Sequence, residues 1–268
     1  MPELPDLEAI VNVLSRVIVG QRVEEVEVGQ PLTIRRPLPE FVALLEGNTF
    51  RQVARRGKFL LFTFDSGHVL AINLMLSGRL QYCTPRERKR AKTCFIFHLS
   101  GDQQLRYFDP RLMGKVYLVE DGRLDLIPRF TEMGPEALGE EVTLEVFRER
   151  LRRHPGQIKN ILVNDTFLAG IGNAYADETL FEARINPYRK RPSLSPAEVE
   201  ALYRAMRSVL TEAMPIVAAR MGDDISLKIR DFLKVHDKGG QPCPRCGSTI
   251  SQIQANQRLT NFCRSCQK

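Results

Sequence analysis

No stretch of this 268-residue sequence approaches the roughly 18 consecutive apolar residues that a membrane-spanning helix needs. The opening residues lack the basic region and apolar stretch of a secretion signal, and the chain is therefore expected in the cytosol. No segment repeats. Acidic residues are missing from 241–268, where Arg245, Arg258, Arg264 and Lys268 are present. Along the whole chain 39 Lys and Arg outnumber 32 Asp and Glu, giving a formal charge of +7 and a pI near 9.2. An acidic polymer is therefore the first partner to consider, because each neutralised phosphate releases a counterion. Anionic membranes and RNA stay open on charge alone. The one biased segment, 86–92, carries five basic side chains and one acid in seven residues. It reads as a solvated hairpin tip in preference to a dedicated phosphate contact.

What is present suggests an α+β chain long enough for two domains and a small appendage. Residues 4–19 read as a helix, with Pro5 in its first turn and Gly20 as its stop. Short runs rich in β-branched and aromatic residues follow at 23–28, 50–53, 59–64, 69–76, 94–99 and 116–119, and predict an N-terminal β-sandwich. Past about Pro128 apolar residues recur every three or four positions, at 144–153, 158–164, 174–183 and 196–214. Ser195 to Glu198 forms a capping box that opens the last of these helices. The expected boundaries are 1–128 for the sandwich, 129–238 for a helical domain and 239–268 for a finger.

Four of the six cysteines stand as Cys243-x2-Cys246-x16-Cys263-x2-Cys266. Two such pairs can close a tetrahedral site around one structural Zn2+, with no open position left for a catalytic water. Cys83 and Cys94 lack such spacing and read as buried core thiols.

The chain begins Met1-Pro2-Glu3-Leu4-Pro5. Pro2 is small enough for Met1 to be removed, which would expose a secondary amine. An ordinary α-amine has a pKa of about 7.7–8.0 against about 10.4 for lysine, so far more of it is neutral near pH 7.5. A neutral amine can attack C1′ of a damaged nucleotide and form an iminium. By themselves, Pro2 and Pro5 read more simply as a stiff entry to the first helix.

The opening Pro-Glu-Leu-Pro is accompanied by Arg55-Arg56-Gly57-Lys58-Phe59-Leu60-Leu61, by Ile171-Gly172-Asn173-Ala174-Tyr175-Ala176-Asp177-Glu178 and by a ribbon ending Gln257-Arg258-Leu259-Thr260-Asn261-Phe262-Cys263. In this combination the chain resembles the formamidopyrimidine-DNA glycosylase and endonuclease VIII family over essentially its whole length. The resemblance implies a monomeric, nucleoid-associated bifunctional DNA glycosylase and abasic-site lyase of base excision repair, acting on double-stranded DNA by β,δ-elimination. It assigns Pro2 as nucleophile, Glu3 as the acid at the sugar ring oxygen, Lys58 as a cation beside the lesion's phosphate, and Arg258 as the clamp from the ribbon. It makes 158–178 a helix, two turns, helix element whose backbone amides hold a phosphate, assisted by Asn173 and Lys159. A flipped nucleotide leaves a gap, which Arg111, Met113 and Leu76 would fill.

Several positions depart from that pattern. Asp6, Asn73, Leu76, Leu112 and Met113 replace commoner residues, and 215–230, where a loop covers oxidised purines, looks short. Oxidised or ring-opened purines are therefore the expected substrates, with hydantoins and oxidised pyrimidines as the alternative. A non-catalytic binder of damaged DNA and a zinc-containing RNA-binding protein remain as other classes.

Overall fold

Strand β3 (Phe59–Phe64) buries Leu60, Phe62 and Phe64 on one side and leaves the residues between them half-buried, as the alternating sequence predicts. It pairs antiparallel with β2 (Phe50–Arg56) and β4 (His68–Asn73), and β4 pairs with β8 (Lys115–Glu120). The second sheet is also antiparallel, in the order β1 (Val23–Val28), β6 (Thr93–Leu99), β7 (Gln103–Phe108), β5 (Arg79–Cys83). Phe50 of the first sheet meets Phe97 of the second at a centroid distance of 6.1 Å, so the two inner faces make one sandwich core. Helix α2 (Leu38–Leu45) adds Phe41 against Phe95.

This computed structural model describes residues 1–255 and 258–268, without the side chains of Ala255 and Arg258. Its contacts define two units. One comprises Met1–Pro2, Asp6–Glu132 and Val217–Lys228, and the other Glu3–Pro5, Met133–Ile216 and Ile229–Lys268. Helix α1 spans Leu4–Val17.

Three elements of the first unit escape the apolar pattern. The first turn of α2 is marked by prolines at 37 and 39 instead of an apolar period. Strands β5 and β7 carry Gln81, Gln104 and Arg106, which are buried. Gln104 and Arg106 are tolerated because they satisfy one another and the adjoining turn: Arg106 donates to Gln104 Oε1 at 2.7 Å and to the Glu87 and Thr84 carbonyls at 3.0 and 3.2 Å.

The second unit contains α3 (Leu144–Arg152), α4 (Ile158–Leu162), α5 (Asn173–Glu182) and the start of α6 (Pro196–Met221), then the hairpin β9 (Ser251–Ala255) and β10 (Arg258–Phe262). Leu4, Phe147, Phe167, Tyr175, Leu202 and Met206 share its core. The capping box is formed in both directions, Glu198 N–H to Ser195 Oγ at 3.2 Å and Ser195 N–H to Glu198 Oε2 at 2.7 Å. Helix α6 overruns its expected end at 214 and continues through Pro215 to Met221. Proline removes one ladder bond there, while the buried Val217 and Met221 keep the apolar period going beyond it.

Candidate active site and zinc centre

Helix α5 begins at Asn173, and its N-terminal amides lie where a negative charge is favoured. A carboxylate of the same chain fills that position. Glu3 Oε2 accepts from the Gly172 and Tyr175 amides at 2.7 and 3.2 Å, and Oε1 accepts from Ala174 at 2.9 Å. Three of the amides expected to cradle a phosphate, those of Gly172, Ala174 and Tyr175, are thus bonded to Glu3. Glycine is required at 172 because a Cβ there would stand 2.4 Å from Glu3 Cδ. At Gly170 the φ of +98° suits glycine, and the carbonyl accepts the Leu4 N–H at 3.0 Å. Two short turns thus fix the Glu3 carboxylate. Pro2 is buried and still follows Met1, so its nitrogen is an amide in this structure.

Asn173 and Lys159 both reach the ribbon. Asn173 Nδ2 donates to the Leu259 carbonyl at 2.8 Å. Lys159 is buried, with Nζ 2.6 Å from Asp177 Oδ1, 2.9 Å from the Leu259 carbonyl and 2.8 Å from Thr260 Oγ1. These partners make Lys159 a brace between α4, α5 and β10 in this geometry, beside the phosphate contact expected of it. Arg258 opens β10, but its side chain, like Gln257, lies outside the described residues.

Two consecutive acids of α5 form a network that sequence patterning does not disclose. Asp177 Oδ2 lies 2.9 Å from His236 Nδ1 and accepts the Asn261 N–H at 3.2 Å. Glu178 accepts the amides of Lys234, Val235 and His236 at 2.9, 2.8 and 2.8 Å. Burial pushes the Glu178 carboxyl above its ordinary value, and the three amides act against that shift. The one available signal was the adjacency of two acids inside an otherwise buried helix. Asp177→Asn leaves the Lys159 ammonium buried without its counter-charge, which costs about 3–5 kcal/mol. A lowered melting temperature and faster amide exchange in β10 are the expected readouts.

In the first unit, Lys58 is buried and follows Gly57, whose φ is +55° at the β2–β3 turn. Arg55 nearby donates to Glu8 Oε1 at 2.7 Å. The gap-filling candidates sit on two preformed turns. Asp109 Oδ1 accepts from Ser77 Oγ at 2.5 Å and the Arg111 N–H at 3.1 Å, while Oδ2 accepts the Gly114 N–H at 2.7 Å. A Cβ at Gly114 would fall 1.7 Å from the Tyr107 hydroxyl, so this turn requires glycine. Arg111 is exposed and Met113 half-buried. Leu76 is 47% exposed, turned outward after Met75, whose N–H bonds Asn73 Oδ1 at 3.0 Å. Asn73, a departure from the usual residue, has a turn-forming role here.

The four cysteine sulfurs of 243, 246, 263 and 266 all lie within 4.8 Å of one another. Zn–S bonds of about 2.3 Å set tetrahedral sulfurs about 3.8 Å apart. The Cys243–Cys266 and Cys246–Cys263 separations, 3.9 and 3.5 Å, fit that spacing. Hydrogen bonds from Ser248 bring the Cys246 thiol down to about 6, a shift toward the thiolate form that binds metal. The centre is fastened to the end of α5: Arg245 donates to the Phe181 carbonyl at 2.8 Å and stacks 4.3 Å over the Phe181 ring. Zinc removal is expected to open 240–268 and to reduce the salt slope of DNA binding by about one for each phosphate that the finger no longer neutralises. Titration against salt before and after chelation, with zinc restored as control, measures this.

Comparison with known proteins gives concordant results. Residues 1–116 match the formamidopyrimidine-DNA glycosylase N-terminal domain, residues 133–223 its H2TH domain, and residues 240–268 the zinc finger found in FPG and IleRS. The formamidopyrimidine-DNA glycosylase of Pelotomaculum thermopropionicum is 39% identical, covering 100% of this chain and 99% of that protein. That of Listeria innocua is 33% identical, covering 100% of both. Among solved structures, the Lactococcus lactis FPG with Fapy-dG-containing DNA superposes with a TM-score of 0.91 at 29% identity, over 99% of this chain and 100% of that one. The Lactococcus lactis Fpg complex with abasic-site DNA gives 0.91 at 28% identity over 99% of both.

Proposed function

Because this chain belongs to the formamidopyrimidine-DNA glycosylase family, and is thus a DNA glycosylase of base excision repair with one structural zinc site, we propose that its own Pro2 and Glu3 carry the reaction. After Met1 is removed, the Pro2 lone pair attacks C1′ of a flipped nucleotide while Glu3 gives a proton to the ring oxygen, so that the C1′–O4′ bond opens. The glycosidic bond then breaks, the base leaves with the proton shed by the Pro2 nitrogen, and an iminium remains between Pro2 and the sugar. Loss of a C2′ proton then expels the 3′ phosphate, and a second elimination expels the 5′ phosphate. Lys58, Asn173 and Arg258 hold backbone phosphates, Lys159 braces the ribbon, and Arg111, Leu76 and Met113 fill the vacated stack. Zinc supplies shape alone, held by Cys243, Cys246, Cys263 and Cys266.

The observation that carries this reading is the Glu3 carboxylate held by three amides next to Pro2 in the chain. Fapy-dG and abasic sites, found in the Lactococcus lactis complexes, are the first substrates to try. We assign oxidised or ring-opened purines, acted on by a cytosolic, nucleoid-associated monomer with sections at 1–128, 129–238 and 239–268. A panel of single-lesion duplexes tests it. Nicking of purine lesions ahead of oxidised pyrimidines and hydantoins is expected, and the reverse order would refute the substrate assignment.

A further inference from the structure

The second unit has a cavity of about 160 Å³ between α3, the turn Arg191–Ser193 and the start of α6. Leu151, Leu194 and Val199 supply its apolar surface, and Arg148, Arg152 and Arg191 surround it. Its size is close to the roughly 150 Å³ that accommodates one benzene-sized group. Arg148 is paired with Glu200 at 3.3 Å. Arg152 is exposed and Arg191 half-buried, and neither has an acidic partner among the described residues. The two are held together by a bond from Arg191 Nη2 to the Arg152 carbonyl at 3.0 Å. This cavity shares no residue with the cradle of Glu3 or with the cysteine centre.

Each half of this surface demands something different from its occupant. Two cations without counter-charges call for carboxylates or phosphates, and guanidinium forks suit both. The apolar recess calls for a side chain to bury there, and a phosphate backbone offers none. From this combination we infer that the face docks an acidic segment of another protein, with one aliphatic or aromatic side chain seated in the recess and carboxylates on Arg152 and Arg191. Such an anchor in a pocket with charges at its rim is the usual anatomy of a short-peptide site. The site tethers the glycosylase to a partner through residues that the proposed reaction does not use.

Fluorescence anisotropy with a labelled peptide of five aspartates followed by leucine tests the assignment. The wild-type protein binds this probe. Replacing the leucine by serine costs about 1.5–3 kcal/mol of apolar burial, at least about tenfold in affinity. Replacing the aspartates by asparagine, or raising the salt, weakens binding as well. Arg152→Glu, on an exposed side chain, reduces probe affinity by about tenfold without altering the melting temperature or the nicking of an abasic duplex. Val199→Lys, which puts a charge into the recess, abolishes the preference for leucine over serine. Failure of the wild type to bind the probe, or equal binding by Arg152→Glu, overturns the proposal. An undamaged duplex that displaces the probe and itself loses affinity on Arg152→Glu would make the face a phosphate surface, which equally overturns it.

Discussion

Protein whose Pro2 nitrogen is blocked, by retained Met1 or by acetylation, is expected to bind an abasic-site duplex normally, yet neither nick it nor become linked to it under borohydride. The argument rests on one lone pair. In a peptide bond the nitrogen electrons are delocalised into the carbonyl and are not available to attack carbon. Once freed, the same atom is an α-amine whose ordinary pKa of about 7.7–8.0 leaves a substantial neutral fraction at physiological pH. The loss on blocking should be at least about 10³-fold, equivalent to roughly 4 kcal/mol of barrier. Pro2→Gly supplies the control, since its processed form keeps an α-amine and should still be trapped, though more slowly. Mass spectrometry of the nicking fraction decides the matter, because a population that begins with methionine and cuts at full rate removes Pro2 from the mechanism.

How far the sequence discloses this architecture depends on whether an interaction is local. Strand β3 was legible because alternate residues of one short run are the ones that enter the core. The zinc centre was legible because each ligand pair is set by a two-residue spacing. Strand β7 was not, since its buried Gln104 and Arg106 become acceptable only when the turn carbonyls of Thr84 and Glu87 are in place. Asp177 is a stronger case. Its partners Lys159, His236 and Asn261 come from three separate segments, and no local pattern links them. The end of α6 was missed for the opposite reason, a local rule applied too strictly: proline weakens a helix without always ending it. At the proposed active site, Pro2, Glu3 and the glycines at 170 and 172 could be picked out along the chain. That Glu3 meets the amides of α5 depends on a contact spanning 169 residues.

Glu3→Gln should separate base removal from strand cutting. The carboxylate accepts three N–H bonds through two oxygens, whereas glutamine has one oxygen and an NH2 group that donates. Whichever way the amide turns, it sets a donor against a donor at the start of α5, leaving at least one buried N–H unmatched at about 1–3 kcal/mol. The variant should therefore melt lower as well as lose its acid, and release of a damaged base should slow by about 10²–10⁴-fold. A preformed abasic site is already in equilibrium with its open aldehyde and needs no proton at the ring oxygen. Borohydride trapping on that substrate should survive. Gly172→Ala asks whether position or identity matters, because its Cβ, 2.4 Å from Glu3 Cδ, forces the carboxylate out while leaving it in the chain. We expect it to share the base-removal defect of Glu3→Gln and keep trapping. Wild-type base release by Gly172→Ala would show that the three-amide cradle has no part in placing the proton.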